Sequence, residues 1–63
     1  MDFEETLRIA IAREEKSIKL YEHLAVTQKT QTLKDVFSSL EAEEKKHKLK
    51  LESIYDDTFM KED

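Results

Sequence analysis

Leu33-Lys34-Asp35-Val36-Phe37-Ser38-Ser39-Leu40-Glu41-Ala42-Glu43-Glu44-Lys45-Lys46-His47-Lys48-Leu49-Lys50-Leu51 is the stretch that settles the fold class. Its apolar residues at 33, 36, 37, 40 and 51 return every three or four positions or multiples of that. That is the period of one helix face, not the alternation of a strand. Glu44 and His47, spaced Glu-x-x-His, fall on the same face in the middle of the stripe, which continues to Ile54 and Tyr55. The preceding stretch repeats the pattern with Phe3, Leu7, Ala10, Ile11, Ser17, Ile18, Tyr21, Leu24 and Ala25, and Glu14 interrupts it. Glycine and proline are both absent, so the two strongest helix breakers are missing.

The spacing predicts a helix over about 3–25, with Asp2 as N-cap and Glu5 three residues on. Val26-Thr27-Gln28-Lys29-Thr30-Gln31-Thr32 is polar and β-branched and reads as a turn. Thr32 is placed to cap a second helix over about 33–56, with Asp35 at its third position. Residues 57–63 read as a short tail. A turn of that length makes the helices antiparallel neighbours. The fold class is all-α: one domain, an antiparallel helical hairpin.

Sixty-three residues bury a thin core. Below about 70–80 residues one core rarely supplies more than about 3–5 kcal/mol. Cysteine is absent, which excludes disulfides and thiolate zinc sites. Metal and self-association remain as sources of stability. Two hairpins close into a four-helix bundle, and a two-fold homodimer is the simplest symmetry, with higher homo-oligomers built from it. A net charge of −4 argues against nucleic acid or an anionic membrane as partner. No apolar run approaches the roughly 20 residues of a membrane span. Met1-Asp2-Phe3-Glu4-Glu5 is too acidic for a signal peptide. The lack of cysteine fits a reducing cytoplasm, the location expected here.

Glu14 lies 11 residues before Ala25, and Glu44 lies 11 residues after Leu33. Both therefore stand ~17 Å from the turn at 1.5 Å per residue. His47 is one turn farther along, on the face of Glu44. Buried charges need a partner or a metal. A two-fold dimer would gather two copies each of Glu14, Glu44 and His47, the ligand set of a di-iron or di-manganese bundle. Oxygen and nitrogen donors without sulfur suit iron, manganese or zinc. Tyr21, a phenol on the inner face, is placed to hydrogen-bond a ligand carboxylate. The plainer readings are an exposed Glu44–His47 pair and a Tyr21 that only packs. Glu15, Glu41, Glu43 and His23 read as solvated flank, and Lys45, Lys46, Lys48 and Lys50 as partners for nearby acids.

These residues resemble a known pattern. Ala10-Ile11-Ala12-Arg13-Glu14-Glu15-Lys16-Ser17-Ile18-Lys19-Leu20-Tyr21-Glu22-His23-Leu24-Ala25 resembles the first helix of the ferritin-like, rubrerythrin-type proteins. Leu40-Glu41-Ala42-Glu43-Glu44-Lys45-Lys46-His47 resembles their second-helix Leu-Ala-x-Glu-Glu-x-x-His pattern. The likeness covers about residues 7–55. It implies that Glu14, Glu44 and His47 are metal ligands and catalytic residues of a ferroxidase-type oxidoreductase. Glu44 would bridge, His47 would be terminal, and Glu14 terminal or chelating. The reaction implied is oxidation of Fe(II) to Fe(III) with O2 or peroxide, at a di-iron site formed between subunits.

Departures are also visible. Two helices stand where most ferritin-like proteins carry four, which is similar to the encapsulated ferritins; storage would then require a protein shell. Their further short helix and shell-targeting tail are not evident after Asp57. Leu20 stands where the family more often has Phe. No cysteine-rich electron-relay segment is present. The alternative function is non-enzymatic: a helical oligomerisation or metal-binding module without redox activity.

Overall fold

The computed structural model describes residues 1–61. Two helices, α1 (Phe3–Thr27) and α2 (Gln31–Tyr55), pack as an antiparallel hairpin. The chain then continues as one π-helical turn, Asp56–Met60. Each helix has 25 residues, so each is ~37 Å long. Among the described residues, no helix is long and apolar enough to cross a membrane.

Local chemistry sets the helix ends. The Asp2 carboxylate accepts a 2.7 Å hydrogen bond from the Glu5 N–H, satisfying one of the orphan donors of the first turn. Glu4 and Glu5 add negative charge there, favourable at the positive end of the helix dipole. The link between helices is 28–30, not the expected 26–32. The Gln28 N–H still reaches the Leu24 carbonyl at 3.2 Å, and the Thr27 hydroxyl donates back to the His23 carbonyl at 3.0 Å. These bonds carry α1 beyond residue 25. Thr30, not Thr32, is the cap of α2: its hydroxyl oxygen accepts from the Leu33 N–H at 3.2 Å. Gln31 then joins the helix and donates to Asp35 at 2.8 Å. Gln28 and Thr30 are both extended, with ψ of 151° and 150°. The chain reverses without a positive φ among the described residues, which is how a glycine-free turn is built.

The second helix ends at Tyr55, and residues 57–60, expected as tail, are mostly part of the π-helical turn. Aromatic packing holds it there: the Phe59 ring lies 5.1 Å from Tyr55 and 6.0 Å from Phe3. Residues 62 and 63 of the expected tail lie outside the described residues.

Three cross-helix contacts fix the register. Tyr21 stacks on Phe37 at 6.2 Å, Glu14 faces His47 at 3.7 Å, and the Tyr55 hydroxyl donates to Glu4 at 3.0 Å. The seam uses Leu7, Ile11, Glu14, Ile18, Tyr21 and Ala25 against Phe37, Glu41, Glu44, Lys48, Leu51 and Tyr55, all at least partly shielded. Their spacing alternates three and four, the coiled-coil repeat. This divides the stripe read from the sequence. Leu33, Val36, Leu40, His47 and Ile54, expected on the inner face, are exposed. They lie along one flank of the seam, whereas Lys48–Glu15 and Arg8–Tyr55 pairs occupy the other. The hairpin measures 50 × 23 × 10 Å, so it is a single layer, one helix thick. Of the described hydrophobic residues, only Leu7 and Ala25 are buried, at 5% and 9% exposure.

The capping geometry gives a direct test. Thr30→Ala should cost about 1 kcal/mol, the usual loss for an N-cap. Thr32→Ala, an exposed position inside α2, should stay within about 0.5 kcal/mol. Thermal unfolding at one fixed protein concentration measures both, and the opposite order would restore Thr32 as the cap.

Candidate metal centre

Glu14 stands thirteen residues before the end of α1 at Thr27, and Glu44 thirteen residues after the start of α2 at Gln31. The shorter link moves both helix ends by two residues and leaves the two carboxylates level. His47 follows Glu44 by three positions and shares its side of α2. Its Nδ1 lies 3.2 Å from Glu44 Oε1 and 3.7 Å from Glu14 Oε2. One donor atom from each of the three residues falls within 4.8 Å of the others. The register brackets this layer with the Tyr21–Phe37 stack on the turn side and with Leu7 and Leu51 on the other.

The carboxylates are drawn from water, with side chains of Glu14 and Glu44 22% and 21% exposed. Glu14 Oε2 is buried and has no hydrogen-bond partner. The Glu14 carboxyl is held above its ordinary pKa. The largest cause is its hydrogen bond with Glu44, followed by burial and the Glu44 charge, with His47 pulling the other way. Two facing carboxylates resist ionising together. Among the described residues no lysine or arginine pairs with them. Lys45 pairs with Glu41 at 2.9 Å, Lys46 with Glu43 at 3.6 Å, and Lys48 with Glu15 at 3.8 Å. An orphaned carboxylate oxygen, a second carboxylate and an imidazole nitrogen at one point fit a divalent cation. The donors are those of iron, manganese or zinc.

His47 is the open side of the site. Its side chain is 55% exposed, on the uncovered flank with Leu33, Val36, Leu40 and Ile54. Tyr21 does not join the ligands within the hairpin. Its ring stacks on Phe37, two turns from Glu14, and among the described residues its hydroxyl makes no hydrogen bond to a ligand carboxylate. Glu41, read as solvated flank, is a seam residue with a side chain only 17% exposed, held by Lys45.

A cluster at the open end escaped the sequence reading. The Tyr55 hydroxyl accepts from Arg8 Nε at 3.2 Å and Nη2 at 3.0 Å while donating to Glu4. Arg8 also bonds Glu4 at 2.7 Å. The i,i+4 spacing of Glu4 and Arg8 and the seam phase of Tyr55 were the available signals.

Two antiparallel helices that set a paired carboxylate and a Glu-x-x-His imidazole at one height form a ferritin-like helical pair with a group of side chains that could hold a metal ion. A family model described as Rubrerythrin matches residues 5–63. The chain belongs to the rubrerythrin family, whose ferritin-like domains bind iron. No curated protein and no solved structure matched it.

The raised pKa of the Glu14 carboxyl has a pH signature. A raised pKa in the folded state contributes stability that is complete below the unfolded value and is lost as pH rises through the folded value. In EDTA, the melting temperature of the parent relative to Glu14→Gln should therefore fall as pH rises above about 4.5. A difference that stays constant from pH ~4 to ~7.5 would contradict a raised pKa at Glu14.

Proposed function

We propose that two copies of this hairpin pair through the uncovered flank and hold a di-iron centre between them that oxidises Fe(II) to Fe(III) with O2 or peroxide. The observation that carries this reading is that Glu14 and Glu44 in the seam meet His47 beside the flank that also exposes Leu33, Val36, Leu40 and Ile54. Burying that flank against a second copy would complete a four-helix bundle. It would also bring a second set of the same three ligands to the layer.

Each side chain has a task in this account. Glu14 and Glu44 would hold the iron as anionic carboxylate donors. His47 presents Nδ1, the nitrogen already turned toward both carboxylates. The Tyr21–Phe37 stack and the Leu7–Leu51 layer exclude water above and below the donors, which strengthens every charge interaction between them. Two bound Fe(II) ions would supply two electrons, one each, to O2 or peroxide. Hard carboxylate donors favour the ferric state and so favour that direction.

Metal binding should stabilise the protein by mass action. At 100-fold excess over Kd the gain is ~2.7 kcal/mol, or about 10–20 °C in melting temperature for a domain of this size. Zn(II) or anaerobic Fe(II) should produce that rise in the parent. Glu44→Ala should remove it, and His47→Ala should cut aerobic Fe(II) oxidation, followed by ferric absorbance, at least tenfold. Sedimentation should give the mass of a dimer or its multiple. A metal-induced shift that survives Glu44→Ala intact would remove Glu44 from the site.

A further inference from the structure

Charged residues fill the middle of the seam on α2. Glu41, Glu44 and Lys48 stand in consecutive seam positions that a helix pair ordinarily gives to apolar side chains. Glu44 belongs to the group that could hold a metal ion, and Glu41 is held by Lys45 at 2.9 Å. Lys48 has neither role. It follows Glu44 by four residues on the same face, and its side chain is only 31% exposed. Its ammonium does not turn to the two seam carboxylates. It crosses to Glu15, the neighbour of Glu14, at 3.8 Å. This bridge lies on the flank opposite His47, where two hollows open. One, of about 300 Å³, is lined by Ile18, Lys45, Lys48, Leu49 and Glu52. The other, of about 310 Å³, is lined by Arg8, Ile11, Ala12, Glu15 and Tyr55. Lys48 walls the first and Glu15 the second, so the bridge stands between them. A loose pair with exposed ends contributes little to stability, so stability does not account for it. Cover alone would be better supplied by leucine or methionine, which bring no charge to desolvate.

We propose that the Lys48–Glu15 bridge is a gate through which divalent cations reach Glu14, Glu44 and His47 from the flank that a second copy leaves free. This rests on the paired-hairpin reading, since pairing covers the His47 side of the site. With the bridge closed, the ammonium stands beside the approach to both seam carboxylates and repels an incoming cation. A dication that arrives competes with that ammonium for Glu15, and its double charge favours it. Lysine suits the exchange, because it meets a carboxylate as a single point charge on a flexible stem. It also has a second acceptor in reach. Glu52 lies four residues farther along the same helix face and lines the same hollow as Lys48. Lysine ahead of glutamate at this spacing is the weaker order. Glu15 therefore holds Lys48 at rest, and Glu52 receives it when the gate opens. The freed Glu15 carboxylate is then the first donor on the way to Glu14.

Co(II), whose visible absorbance reports ligation, is the probe. Its uptake by the full chain is followed by stopped flow at low salt, and bound metal is counted at equilibrium. Circular dichroism checks helicity, and sedimentation gives the mass. Lys48→Met keeps the apolar stem and removes the bridge, so uptake should be at least tenfold faster with the same metal count. Lys48→Arg grips the Glu15 carboxylate through a planar fork and should slow uptake, which keeps the test open if Lys48→Met does not fold. Glu52→Gln removes the open position of the gate. It should slow uptake severalfold in the parent and leave the rate of Lys48→Met unchanged, a non-additivity that marks direct coupling. Equal slowing in both backgrounds would overturn the gate, because long-range charge alone does that. A dimer in which every variant takes up Co(II) at the parent rate would also overturn the gate, and would leave the ligands in place. A monomer with equal rates throughout would instead remove the paired-hairpin reading, with metal entering past His47.

Discussion

Two carboxylates facing each other across a helix seam are the constraint on which this structure turns. Glu14 and Glu44 occupy positions that a two-helix seam ordinarily gives to leucine. They are mostly withdrawn from water, one oxygen has no hydrogen-bond partner, and among the described residues only the His47 imidazole approaches both. Repulsion between them is tolerable only if a proton or a cation sits between. A proton satisfies one carboxylate at a time, whereas a divalent ion satisfies both and also uses His47 Nδ1. Around this layer the sequence is arranged to hold the register rather than to bury area. Tyr21 on Phe37 fixes one side, and Glu4, Arg8 and Tyr55 fix the other.

The hairpin alone leaves that arrangement unfinished. It is one helix thick. Leu33, Val36, Leu40 and Ile54 remain exposed beside His47, so the same flank that leaves apolar surface uncovered leaves the ligand cluster open. The proposed second copy on that flank would answer both needs at once. Stability and metal binding would then be coupled through a single surface.

Much of this was legible in the sequence, and for identifiable reasons. The absence of glycine and proline, with apolar residues at helical spacing, gave two helices. Equal distances of Glu14 and Glu44 from the turn put the two carboxylates at one level, and that equality survived a shift of both helix ends by two residues. The ends themselves were less legible because Thr27, Thr30 and Thr32 can each act as a cap or a terminal residue. Only the hydrogen bonds of Thr27 to His23 and of Leu33 to Thr30 distinguish them. The seam was overread for a similar reason. A stripe broad enough for a four-helix bundle contains both the hairpin contact and the face left for a partner, and periodicity cannot separate the two. Tyr21 was legible as an inner residue but not as the partner of Phe37, which depends on the cross-helix register. The Glu4–Arg8–Tyr55 network joins residues 47 to 51 positions apart, beyond the reach of local pattern.

The central claim is that Glu14, Glu44 and His47 from two chains hold metal at their common interface. Anomalous diffraction at the iron edge, from crystals grown with Fe(II) under anaerobic conditions, tests it most directly. The account predicts a pair of anomalous peaks between two chains, each within coordination distance of Glu44 and of the carboxylate or imidazole donors of Glu14 and His47. A single peak enclosed by one hairpin, or iron bound at Asp56 and Asp57 and not at Glu14 and Glu44, would contradict it.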